Sequence, residues 1–242
     1  MMHERDILSY FKNWDLTEES KAYLLNHCAR YSLLLKRVAD IVNRNETGDQ
    51  LLKILDIGPS FQTDILRNTY SVATVNSLGF EDLRFKLREQ DRHFHFDLND
   101  AQYEDKWPSI EKHDIIIMAE VLEHLYTSPK LVLKCVSSWL KRGGYLIIQT
   151  PNACALHKRL RMLIGRNPFE MIRDTRTNPG HFREYTISEL TSISLASGFK
   201  VCRYETHNYF NVSGSNLQKV YHTSGLLLPR SLREGMTFYL QL

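Results

Sequence analysis

The run Leu51-Leu52-Lys53-Ile54-Leu55-Asp56-Ile57-Gly58-Pro59-Ser60 constrains this chain more than any other stretch. Its apolar positions leave almost no polar face, the pattern of a strand buried on both sides of a parallel sheet. Asp, Gly and Pro then stop the strand, and Thr63-Asp64-Ile65-Leu66 reads as the capped start of a helix. A strand, a tight glycine turn and a helix N-terminus point free backbone N–H groups at one place, the cradle a nucleotide needs.

Around this unit the chain alternates. Residues 1–46 read as a helical cap, with a longer helix opened by Thr17-Glu18-Glu19-Ser20; Arg30 and Tyr31 are its best contacts if it lids a pocket. Residues 51–150 read as a cofactor-binding core, with strands at Ser71–Val75, His93–Leu98, Asp114–Ala119 and Tyr145–Gln149. Helices are predicted over Phe80–Gln90 and from Pro129 to Leu140. Residues 151–185 form an acceptor-side helix and loop. There Asn152–Ile164 is predicted as a helix with Leu156, Leu160 and Leu163 inside and His157, Lys158, Arg159 and Arg161 outside. The stretch Arg166–Arg183 is long and turn-rich, and loops of that length in compact domains are often functional. Residues 186–242 hold a helix opened by the capping box Thr186-Ile187-Ser188-Glu189 and two closing strands. The sum is one α/β domain over residues 1–242, a doubly wound, mostly parallel sheet.

Composition excludes several classes. With 242 residues, 43% hydrophobic and 24% charged, the chain is neither disordered nor fibrous. A net charge of +3 gives no electrostatic argument for nucleic acid. Cys28, Cys135, Cys154 and Cys202 are scattered, without a Cys-x-x-Cys pair, as in reduced, packed thiols. No run approaches the ~20 apolar residues of a membrane span, and the charged start Met1–Asp6 is no signal peptide. A cytoplasmic location is expected.

Four segments in order, Ile54–Ser60, Asp114–Leu125, Leu140–Asn152 and His181–Phe199, resemble the signature segments of class I S-adenosylmethionine-dependent methyltransferases. The likeness is greatest to a bacterial branch associated with polysaccharide and O-antigen synthesis. Leu140-Lys141-Arg142-Gly143-Gly144, Thr150-Pro151-Asn152 and Gly180-His181-Phe182-Arg183-Glu184-Tyr185-Thr186 carry that likeness. The resemblance implies a Rossmann-like sheet of seven strands with the last one antiparallel. It implies S-adenosyl-L-methionine as cofactor, with Asp56, Gly58, Pro59 and Ser60 under its methionine part. Asn76 falls at the ribose, Asp97 and Leu98 at the adenine, and Ala119 and Glu120 beside the sulfur. It also implies a sugar or glycan-like small acceptor. Two positions depart from the family pattern. Gly58-Pro59-Ser60-Phe61-Gln62 keeps one glycine of Gly-x-Gly-x-Gly, and Asn76 replaces an acid, for which Glu81 or Asp82 could compensate.

If Glu120-Val121-Leu122-Glu123-His124 begins a helix, Glu120, Glu123 and His124 share one face. Methyl transfer needs no enzyme nucleophile, but a hydroxyl acceptor needs a base, and His124 has the right ordinary pKa. His181 is the second catalytic candidate. Glu120, Glu123, His124 and His181 also match the metal ligands of small-RNA 2′-O-methyltransferases, so a metal-assisted RNA enzyme stays open. The cluster His157-Lys158-Arg159, Arg161, Arg166 and Arg173 suits a phosphate or a solvated face. Other open readings are a silent methyltransferase-fold binding protein and a nicotinamide oxidoreductase, although the glycine turn fails the dinucleotide pattern at two positions. Oligomeric state and a resident metal are left open by the residues.

Overall fold

The structure is a computed structural model that describes residues 2–44, 51–80, 84–175, 179–208 and 228–242. Seven strands form one sheet: β1 (Lys53–Ile57), β2 (Thr74–Gly79), β3 (His93–His95), β4 (His113–Ala119), β5 (Leu140–Pro151), β6 (Lys200–His207) and β7 (Gly235–Gln241). Their spatial order is β3-β2-β1-β4-β5-β7-β6, with β7 antiparallel to both neighbours. The Rossmann-like architecture expected from the alternating pattern is present.

Because neighbouring side chains on a strand point to opposite faces, each central strand feeds two cores. Ile54, Ile115, Ile117, Ile147 and Tyr239 pack against α1 (Glu4–Tyr10), α2 (Glu18–Arg44) and α3 (Phe61–Thr69). Leu55, Ile116, Met118, Ile148 and Phe238 pack on the other side, where α4 (Pro129–Ser137) and α6 (Ile187–Ala196) supply Val132, Val136 and Leu190. A further helix, α5 (Leu156–Leu163), lies beyond the end of β5. The order reverses between β1 and β4, so the crossovers from these strands leave in opposite directions and open a crevice at their carboxyl ends.

Several expectations need correction. The stretch predicted as a helix over Phe80–Gln90 has no helix among its described residues; Glu81 and Asp82 lie outside them. Residues 84–91 are instead held by ions: Arg88 donates to the carbonyls of Arg67 and Ala73 and pairs with Asp91, whose carboxylate also accepts from the Val75 N–H. Glu120–His124 is not an α-helix, since Glu120 has φ 55° and only Leu122–His124 form a 3₁₀ turn. Helix α5 starts late, at Leu156, because β5 runs on to Pro151 and Asn152 bridges to Tyr185. Its facing is also reversed: Lys158 is buried while Leu160 and Leu163 are exposed, because Glu184 offers the ammonium a partner inside. Of the cysteines, Cys28 and Cys135 are buried but Cys202 is exposed.

Helix α2 is tied across the sheet by a two-point ion pair. Arg37 Nε and Nη2 reach the two oxygens of Glu205 at 3.0 and 2.7 Å, and Tyr239 donates its hydroxyl to the same carboxylate at 3.1 Å. Burial alone would raise the Glu205 carboxyl, but His207, Arg37 and Arg203 together take it down to about 2. A carboxyl with a depressed folded pKa stabilises the fold above its unfolded value of roughly 4.3, and the gain disappears as pH falls toward the folded value. Glu205→Gln is therefore expected to cost roughly 2 kcal/mol at pH 7 and almost nothing near pH 2, read from urea midpoints across that range.

Candidate active site

The crevice is built from the turn after β1 and the turn after β4. Ile57 is paired with Met118, so the two turns leave the sheet side by side. Gly58 has φ +79°, and a Cβ placed there would lie 2.7 Å from Val121 Cγ2. Only glycine meets both demands, a left-handed backbone and a neighbour with no room for a side chain. Ser60 then caps α3, its hydroxyl accepting from the Gln62 N–H and its N–H bonding to Thr63 Oγ1. The loss of the later glycines is compatible with this turn, since Ser60 sits in extended backbone at φ −154° and needs no left-handed conformation.

Asp56 is fully buried and both its oxygens are engaged, by Gln62 Nε2 at 2.7 Å and Thr63 Oγ1 at 2.6 Å. Burial pushes its carboxyl up to about 6 against those hydrogen bonds. It thus fastens the turn to the strand from below. Asn76 is also buried, in mid-strand, with its amide spent on the Arg92 N–H at 2.8 Å and on His113 Nε2 at 3.0 Å. The strand end facing the crevice comes three residues later, at Gly79. Pro59 and Ser60 are half-buried in the turn, and Ala119 closes β4. Asp97 and Leu98 follow β3, where Asp97 caps the 3₁₀ turn Leu98–Gln102 by accepting from the Asn99 N–H.

Opposite the turn lies a group of carboxylates and imidazoles. Glu120 is fixed by its N–H to the Gln149 carbonyl at 2.8 Å. Glu123 is fully buried and accepts from Thr150 Oγ1 at 2.9 Å. The Oε1 atoms of Glu120 and Glu123 are shielded from solvent, with no hydrogen-bond partner among the described residues. Burial raises both carboxyls, and for Glu123 the neighbouring Glu120 charge adds to the rise; Arg30 opposes it at both. Two such carboxylates hold a proton more readily than either would alone. Arg30 of α2 is 1% exposed and reaches Gln149 Oε1 at 3.3 Å.

His124 and His181 meet with ring centroids 4.8 Å apart. The loop carrying His181 is pinned by its Phe182 N–H to the Glu123 carbonyl at 2.8 Å. His124 Nδ1 lies 2.9 Å from the Gly180 carbonyl, which can only accept; Nδ1 therefore carries the hydrogen and Nε2 is the basic nitrogen. Burial lowers the His124 pKa, keeping the ring neutral near pH 7. His181 Nδ1 stands 3.2 Å from Glu184 Oε1, and Glu184 also pairs with Lys158. One donor atom each from Glu123, His124 and His181 fit within 4.8 Å of one another. That set, with the unsatisfied Glu123 oxygen and each Nδ1 anchored from outside, fits a divalent cation with mixed oxygen and nitrogen ligands.

The sequence had brought forward Glu120, Glu123, His124 and His181, and all four lie at one end of the sheet. Gln149 and Glu170 carry no signal as site residues in that reading, and Thr150 and Glu184 enter only within the segments that bear the family likeness. Polar residues ending the apolar run of β5 are a usable signal for Gln149 and Thr150; nothing local marks Glu170, which accepts the His181 N–H, while Glu184 stands 3.2 Å from His181 Nδ1.

A methyltransferase-domain family model matches residues 29–204, and the chain belongs to that family. Among relatives, a probable S-adenosylmethionine-dependent methyltransferase of Mycolicibacterium smegmatis is 33% identical over 88 residues, 36% of this chain and 29% of that protein. One of Mycobacterium tuberculosis is 34% identical over 86 residues, 36% of this chain and 26% of its own length. The matched stretch is thus under a third of those relatives. Among solved structures, a SAM-dependent methyltransferase from Archaeoglobus fulgidus superposes with TM-score 0.54 at 16% identity, covering 88% of this chain and 94% of that one. Magnesium protoporphyrin IX methyltransferase from Synechocystis, solved with SAH bound, gives 0.54 at 14% identity, covering 97% and 91%. The solved structures share the Rossmann-like fold, and the family model defines the class as a methyltransferase domain.

The raised Glu123 carboxyl has a measurable consequence. A folded pKa above the unfolded one gives stability that is complete below roughly pH 4.3 and is lost as pH rises. In chelator-treated protein, Glu123→Gln is expected to raise the thermal midpoint at pH 8 and leave it nearly unchanged at pH 4, by calorimetry at both values. An unchanged or lower midpoint at pH 8 would contradict the buried-proton account.

Proposed function

We propose that this chain transfers the methyl group of S-adenosylmethionine to a hydroxyl on a sugar or glycan-like small acceptor, with His124 as the base. The observation that carries the reading is His124 itself, a neutral imidazole whose Nδ1–H is tied to the Gly180 carbonyl and whose Nε2 is free to act as an acceptor. The glycan acceptor rests on the resemblance of the Gly143-Gly144, Thr150-Pro151-Asn152 and Gly180–Thr186 segments alone.

When bound, the cofactor supplies a methyl group already activated by its positive sulfur. The chain's own residues then bind, orient and remove one proton. The turn at Gly58, Pro59 and Ser60 receives the methionine part, with Asp56 holding that turn through Gln62 and Thr63. Asp97 and Leu98 take the adenine end, and Ala119 and Glu120 form the wall beside the sulfur. Asn76 serves this arrangement from beneath by fixing β2 to His113 and Arg92. His124 Nε2 accepts the acceptor's hydroxyl proton as the oxygen attacks, and His181 borders the same space.

A second reading is favoured by one observation, the donor set of Glu123, His124 and His181. A divalent ion held there would polarise the acceptor oxygen and favour its deprotonation. An RNA acceptor would be one substrate for such a site.

Calorimetric titration with S-adenosylmethionine and its demethylated product is expected to give micromolar binding. Gly58→Ala should weaken that binding tenfold or more, since strain of about 1–3 kcal/mol falls on the turn. Absence of binding would leave the silent relative as the reading. With an acceptor in hand, His124→Asn should lower kcat by about 10²–10⁴-fold while cofactor affinity is kept. The kcat/KM profile should be flat above roughly pH 6.5 and fall only below it, because a lowered pKa leaves the base charged only at more acidic pH. Activity that survives EDTA would remove the metal reading; activity abolished by EDTA and restored by Mg²⁺ or Mn²⁺ would establish it.

A further inference from the structure

Helix α5 is mounted with its apolar face to solvent. Lys158 is 7% exposed, paired with Glu184, and lies 5.7 Å over the Phe169 ring. Leu163 on the other side is 81% exposed, and Leu160, Met162 and Ile164 are exposed beside it. At about 100° per residue, Leu156, Leu160, Leu163 and Ile164 fall on one arc, bordered by Arg159 on one side and by His157 and Arg161 on the other. The loop that follows adds Met171, 87% exposed, and Ile172. Isolated apolar residues at a surface need no explanation, but a helix face and its adjoining loop exposed together do.

The charge of this surface is one-sided. Residues 156–173 contain Lys158, Arg159, Arg161, Arg166 and Arg173 against the single acid Glu170. Lys158 is neutralised by Glu184 and Arg173 by Glu170, which leaves Arg159, Arg161 and Arg166, all exposed, around the apolar face. An apolar stripe edged with arginines matches the boundary of a lipid bilayer, where the stripe enters the acyl margin and the guanidinium groups stay with the headgroups. A second copy fits worse: a two-fold contact through this face would set the same arginines against one another.

We propose that α5 and the loop after it dock this protein on an anionic lipid bilayer. The helix is eight residues long and lies in the interface, and no helix among the described residues is long and apolar enough to cross a membrane. The docked surface is joined to the site, because Glu170 Oε1 accepts the His181 N–H at 3.0 Å. Given the acceptor reading above, on which this clause alone rests, the site would then face a glycan carried on a membrane lipid.

The test is co-sedimentation of the full chain with vesicles of equal phosphatidylglycerol and phosphatidylcholine, with pure phosphatidylcholine vesicles as comparison and no acceptor present. Binding to the mixed vesicles is expected, at least about tenfold weaker on the neutral ones and falling with salt. The double variant Leu163→Asp/Ile164→Asp should lose it. Arg161→Ala/Arg166→Ala should weaken it and flatten its salt dependence. Unchanged affinity for the demethylated cofactor shows that each variant is folded, and a vesicle result without any cofactor binding would separate this proposal from the catalytic one. Failure of the native chain to sediment, binding retained by the Leu163/Ile164 variant, or a dimer in gel filtration that this variant splits would overturn it.

Discussion

The close approach of the turns after β1 and β4 is the constraint on which the rest of the site depends. Parallel pairing of Ile57 with Met118 makes the two turns neighbours, and the missing side chain at Gly58 lets Val121 close against it. The left-handed backbone at Glu120 then turns the chain sharply, so that the following 3₁₀ turn carries Glu123 inward and His124 toward the loop at Gly180. A regular helix starting at Glu120 would have spread the same side chains along an axis; the tight turn stacks them over the end of the sheet.

That placement is costly to the fold. Two carboxylates with shielded oxygens sit near a buried arginine, at a point where water could have solvated all three. Buried ionisable groups of this kind rarely stabilise a domain, because desolvation outweighs attraction unless geometry is ideal. They do keep a proton and a positive charge close together at the end of the sheet. The stability comes from elsewhere, from the two apolar faces of the sheet and from ties such as Arg37 to Glu205.

The outer rim shows a related trade. Lys158 is drawn inside by Glu184, and Glu184 in turn orients His181. Once the lysine points inward, the helix has no choice about its other face, and the leucines are turned out. The exposed apolar surface and the histidine at the site are thus consequences of one buried ion pair.

The central strands were legible because apolar runs such as Ile54–Ile57 and Ile115–Ala119 can be buried only in a sheet covered on both sides, and that follows from residue type alone; β2 lies at Thr74–Gly79 rather than Ser71–Val75, and β3 stops at His95 rather than Leu98. The glycine at 58 and the capping box at Thr186 were legible for a similar reason, since backbone geometry limits what can stand there; the start of α3 was not, since the expected start at Thr63 gives way to a cap at Ser60. The segment at 84–91, the turn at Glu120 and the facing of α5 were not, because each is decided by a partner distant in sequence: Arg88 with the carbonyl of Arg67, Glu120 with Gln149, Lys158 with Glu184. Local pattern determined the sheet, its cores and the end where a ligand would sit. Tertiary contact alone decided which side chains converge there, because hydrogen bonds and ion pairs form between whatever groups the packing brings together.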